Sequence, residues 1–239
     1  MKTSLRRNCA VLVVLTSVFS FCSTNLQAGG VLYQFNNVFS TSGASSPAGP
    51  GPWLDATFQT SGSGVLLTIN NVGLSSGEFI SELDFNVNPN FTVSAIQGLQ
   101  FSLVASNGNF GATSIITGED IKKADGDGYY DINFNFATSA NGRFGAGGQL
   151  TYLITGISGL NASDFSYLSS PGGGVGPYYG AAHIQGIGNG ASVWANPNLG
   201  PEITPVPEPA PAAFLAVLLG LWGFWFLRVR SLRLQPARI

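Results

Sequence analysis

An all-β body of antiparallel sandwich or jelly-roll kind, held between two apolar terminal segments, is the architecture this sequence predicts. Three observations predict it. Apolar residues between 29 and 196 alternate with polar ones far more often than they recur at helical spacing. Clusters of Gly, Ser, Asn and Pro interrupt those runs at short intervals, with 32 Gly and 13 Pro in 239 residues. Each end of the chain carries an uncharged apolar run with Arg beside it.

Residues 1–28 have the layout of a secretory signal peptide: Lys2, Arg6 and Arg7, an apolar run from Cys9 to Phe21, then a polar stretch closing on Leu26-Gln27-Ala28. Cleavage after Ala28 removes Cys9 and Cys22, the chain's two cysteines. The remaining protein then has neither a disulfide nor a thiolate metal site.

The body, 29–196, is read as a row of half-buried strands. Tyr130, Ile132, Phe134 and Phe136 alternate with Asp131, Asn133 and Asn135, which puts the apolar side chains on one face. Val31–Phe39, Leu54–Thr60, Val65–Val72, Phe79–Val87, Phe91–Val104 and Leu150–Ile154 repeat the pattern. Residues 41–52 and 169–176 are expected as long surface loops. Residues 197–211 read as a stiff proline-rich spacer.

The one helix expected is Ala212–Leu227, sixteen uncharged residues reaching about 24 Å of a bilayer core about 30 Å thick. Arg228, Arg230 and Arg233 follow at once and act as a membrane stop on the cytoplasmic side, with 228–239 as a basic end. The body must then lie outside, so the chain is expected to be exported, first as an inner-membrane-anchored precursor and then at the cell surface or beyond it.

Charge is scarce, at 9% of residues, and segregated. Between 29 and 205 stand Lys122, Lys123 and Arg143 against eleven acids, a balance of −8. So few bases exclude a phosphate-binding footprint, and no nucleic-acid partner is expected.

Asp125-Gly126-Asp127-Gly128 with Asp131 downstream, and Glu119 and Asp120 upstream, is the best chemical candidate. Alternate carboxylates on a glycine-rich loop can converge on calcium, which takes six to eight oxygens. The same residues equally make a hairpin turn, the glycines supplying positive φ. His183 is the sole histidine, it reads as strand, and no Gly-x-Ser-x-Gly elbow accompanies it, so a catalytic site is not expected. Trp53, Tyr178, Tyr179 and Trp194 lie in Gly, Pro and Asn-rich stretches, where an exposed ring can stack on a sugar.

Pro207-Glu208-Pro209, the apolar span and the arginine cluster, in that order within the last 34 residues, resemble the PEP-CTERM sorting tail of exported bacterial proteins. The resemblance implies a partner, the membrane transpeptidase-like exosortase that cuts near the triplet. It also implies a cell-surface, biofilm or exopolysaccharide setting. The body is similar to an uncharacterised exported domain common on such proteins, along LLTINNVGLSSGEFISELDFNVNP, IKKADGDGYYDINFNF and TGISGLNASDFSYLS. The function expected is therefore a non-catalytic structural or matrix-associated module, with a carbohydrate-binding module and a secreted polysaccharide hydrolase as alternatives.

Overall fold

Alternation becomes strand in the computed structural model, which describes residues 29–39, 45–125, 127–198, 200 and 202–204. Strand β1 (Gly30–Val38) buries Val31, Tyr33 and Phe35 and exposes Gln34 and Asn36. Then follow β2 (Leu54–Ser61), β3 (Gly64–Asn70) and β4 (Phe79–Phe85). After the short helix α1 (Val93–Gln97) come β5 (Gln100–Ser106), β6 (Ala112–Lys123) and β7 (Gly128–Phe136). The remainder is β8 (Phe144–Gly145), β9 (Gln149–Thr155), a 3-10 turn at Ala162–Phe165, β10 (Ser170–Pro171), β11 (Gly180–Ile187), β12 (Ala191–Pro197) and β13 (Glu202–Thr204).

Every strand pairing among the described residues is antiparallel, and the strands form one sheet. From one end to the other its central path runs β7, β4, β11, β12, β1, β2, β3, β9, β5, with β6 on the outside of β7. Strands far apart on that path nevertheless touch. Phe58 of β2 meets Phe85 of β4 at 5.0 Å between ring centroids, and Phe134 of β7 meets Phe101 of β5 and Tyr152 of β9, each at 5.4 Å. The sheet therefore turns back on itself and closes a single large core between its halves. Each buried ring stabilises that core by roughly 1.5–3 kcal/mol.

Two covers complete the core. The Tyr33 hydroxyl donates to the Phe165 carbonyl at 2.6 Å, which seats the 3-10 turn over β1 and stacks Phe165 on Phe58 at 4.4 Å. Burial, and secondarily Tyr179, pushes the Tyr33 phenol far above its ordinary range. In β11 the register slips between Gln185 and Ile187, and Gly186 takes up the bulge at φ +78° with its Cα against the Gly77 carbonyl.

Several expectations are corrected. The stretch Phe91–Val104 is not one strand: the Thr92 hydroxyl accepts from the Ala95 amide at 3.3 Å and caps α1, Gly98 ends it, and strand resumes at Gln100. Helical structure is thus not confined to the expected span. The 169–176 loop contributes β10, paired with Tyr129 and Gly128. The spacer does not begin at Pro197, because that residue closes β12 opposite Phe35, and β13 runs antiparallel to β1 with Thr204 opposite Gly30. The signal peptide, the span 212–227 and the basic end lie outside the described residues, among which no helix is long and apolar enough to cross a membrane.

Candidate functional site

The polar side of the Tyr130–Phe136 alternation forms the outer face of β7, β4, β11 and β12. Strand register lines up Asn135, Glu82, His183 and Trp194 across four strands, and Asn133, Asp84 and Ala181 beside them. The rows carry their own hydrogen bonds. Asn135 Nδ2 donates to Asn133 Oδ1 at 2.5 Å, and Asn133 Nδ2 donates to Asp84 Oδ1 at 2.7 Å.

Asp84 is fully buried, and its Oδ2 has no hydrogen-bond partner among the described residues. Desolvation pushes its carboxyl up to about 8, outweighing the Asn133 hydrogen bond and the Lys122 charge. Glu82, two residues away, is held down at about 2 by His183 and by Lys122, whose ammonium makes an ion pair with its Oε2. At 3.9 Å, His183 Nδ1 is a charge neighbour of Glu82 Oε1 and no hydrogen-bond partner.

Ser81, Glu82 and His183 do not make a catalytic triad. Ser81 Oγ lies 3.0 Å from His183 Nδ1, and Glu82 faces that same nitrogen. A triad needs the hydroxyl on one ring nitrogen and the carboxylate on the other. The imidazole is also stacked flat on the Trp194 indole, with centroids 4.7 Å apart and planes 7° apart.

Of the four aromatics expected to meet sugar, the structure brings two together. Tyr178 and Trp194, both half-buried, gather around Phe39 at 4.9 and 6.5 Å. Tyr179 turns the other way and stacks on Tyr33 at 6.1 Å. Trp53 is not exposed: it packs in the main core at 6% exposure because its Nε1 finds the Gly49 carbonyl at 2.9 Å.

Asp125, Asp127 and Asp131 separate as well. Asp127 closes a turn, its amide donating to the Ala124 carbonyl at 2.7 Å, and one carboxylate oxygen accepts from the Tyr130 hydroxyl. Burial raises its carboxyl to about 6. Asp131 instead accepts the Val87 and Asp120 amides at 3.1 and 3.0 Å, fixing the bulge by which β6 leaves the β7 register between Thr117 and Lys122. Asp125 stands at the turn with φ +34°. No three His, Cys, Asp or Glu side chains among the described residues are grouped to hold a metal ion. Glu119 and Asp120 border a cavity of about 120 Å³ beside Asp131, but both oxygens of Asp131 are already engaged.

Pro207, Glu208, Pro209, Arg228, Arg230 and Arg233 lie outside the described residues. Ser81, Glu82, Asp84 and Lys122 were missed in the sequence. Their only signal was the polar alternation Asp131, Asn133, Asn135, and which residues stand opposite those asparagines depends on strand order. Comparison with known proteins finds no matching family model, no similar curated protein and no similar solved structure.

Proposed function

We propose that this chain is an exported, non-catalytic surface protein whose antiparallel body, a sandwich of jelly-roll kind, is delivered by a PEP-CTERM-like tail. The observation that carries the reading is the pairing of Gly30 with Thr204. The folded body begins two residues after the expected signal cut and ends three residues before Pro207, so both processing regions flank it and neither interrupts it. The arrangement around His183 supports a body without nucleophilic catalysis.

The processing partner is an exosortase-like enzyme acting near Pro207-Glu208-Pro209, with the membrane as the first resting place. Intact mass of the protein recovered from the cell surface tests this. The expected mass lacks residues 1–28 and the apolar tail beyond the triplet. Full-length chain as the sole surface species would overturn the reading.

Tyr178 and Trp194, side by side at the outer face, favour a second reading as a carbohydrate-binding module for exopolysaccharide. In that case Trp194→Ala abolishes retardation on an exopolysaccharide affinity gel while leaving the thermal melt near that of the parent.

A further inference from the structure

A sheet edge offers unpaired N–H and C=O groups to any passing strand, and native proteins blunt such edges with charge, proline or bulges. The two ends of this sheet are treated differently. At one end β6, paired with β7 alone, carries Glu119, Asp120, Lys122 and Lys123 and breaks register twice, while β10 is two residues long and finishes on Pro171. At the other end β5 pairs with β9 alone among the described residues and contains neither charge nor proline. No Asp, Glu, Lys or Arg occurs between Asp84 and Glu119.

The β5 edge is also apolar. Leu103 and Val104 are 47% and 52% exposed, Val104 being the extra residue where the strand slips against β9. β5 and β6 follow one another in the chain across a short loop, 107–111, yet do not pair. Between them runs an open groove of about 450 Å³ lined by Leu99, Phe101, Leu103, Ala112, Ile115 and Tyr152.

We propose that the β5 edge is the docking surface for a second copy of this chain, β5 against β5 in antiparallel register, so that one sheet continues through a two-fold axis. Charge selects this occupant. Two bodies each carrying −8 between residues 29 and 205 repel one another over a screening distance of about 8–10 Å. The uncharged tract is where they approach with least repulsion. An edge that serves both partners identically needs no complementary surface elsewhere, and the exposed Leu103 and Val104 leave water on both copies at once.

The test is independent of export and processing, because it uses the purified full-length chain in detergent, with Cys9→Ser and Cys22→Ser as background. Ser102→Cys and Val104→Cys are expected to give a dimer band with a short bismaleimide, whereas Ser63→Cys, exposed in the turn between β2 and β3, gives none. Sedimentation of the parent should show a dimer, and Val104→Lys should reduce the dimer fraction at least tenfold with an unchanged melt. Equal cross-linking at Ser63, a monomeric parent, or a Val104→Lys variant as dimeric as the parent would overturn the proposal; the last would leave association to another part of the chain.

Discussion

Truncating Phe85 to Ala is expected to lower the unfolding free energy by about 3–5 kcal/mol, out of a total of about 5–15 kcal/mol for a domain of this kind. Phe85 is fully buried on β4 and is where the two halves of the folded-over sheet lock together. Its ring stands edge-on to Phe58 at 5.0 Å and to Phe134 at 6.3 Å, both near 87°, with Phe35 and Tyr33 at 6.3 and 6.1 Å. These rings belong to β1, β2 and β7, so no single strand can shift to fill the hole without losing contacts elsewhere. The body contains no cysteine, hence no disulfide shares the loss. Urea titration of the variant against the parent measures it, and Phe85→Leu, which leaves a smaller cavity, should recover a large part. A loss below about 1 kcal/mol would mean that the halves close without this ring.

Stability should fall, not rise, as pH climbs from about 4 to about 8, and Asp84→Asn should abolish most of that fall. In the folded protein Asp84 keeps its proton up to about 8, because burial penalises the carboxylate. In the unfolded chain it loses the proton near its ordinary value of 3.8. Between those values the folded state binds more protons, so raising pH favours unfolding. The accumulated cost is on the order of several kcal/mol, since each unit of difference is worth about 1.4 kcal/mol. Asp127, raised by burial to about 6, adds to the fall over the lower part of the window. Glu82 acts oppositely: held at about 2, its contribution is present above its ordinary 4.5 and is lost as pH drops towards 2. Maximum stability is therefore expected near pH 4–5. An amide at position 84 keeps the acceptor for Asn133 and carries no charge at any pH, so denaturation midpoints of Asp84→Asn should rise at pH 8 and change little at pH 4. A parent whose midpoint is flat from pH 4 to 8 would contradict the burial argument.

The strands legible in the sequence were those with one wet face. β1, β2, β3, β7 and β9 bury every second residue, and alternation found each within two residues of its ends. β6 escaped because it lies mostly exposed and bulges between Thr117 and Lys122, so no alternation survives there. β12 escaped because small and polar residues, Ala191, Ser192, Ala195 and Asn196, surround Val193 and Trp194. At Thr92 a cap overrode the β-branched run that followed. Trp53 was misplaced because Gly and Pro neighbours mark a loop but do not say which loops fold inward. The row of Glu82, His183 and Trp194 depends on three pairings between strands distant in sequence, and no local pattern encodes those.

The position of β1 bears on how such a polypeptide could be threaded through a narrow pore. It lies in the middle of the sheet, and β2 can occupy one of its edges as soon as the following residues emerge. The other edge must wait for β12, whose Asn196 bonds Asn37 across 159 residues of sequence. Contacts so remote form slowly. Until nearly the whole body has appeared, the founding strand remains half-satisfied and cooperative closure is impossible. Late closure of this kind keeps a chain slack for passage and lets it set only on the far side.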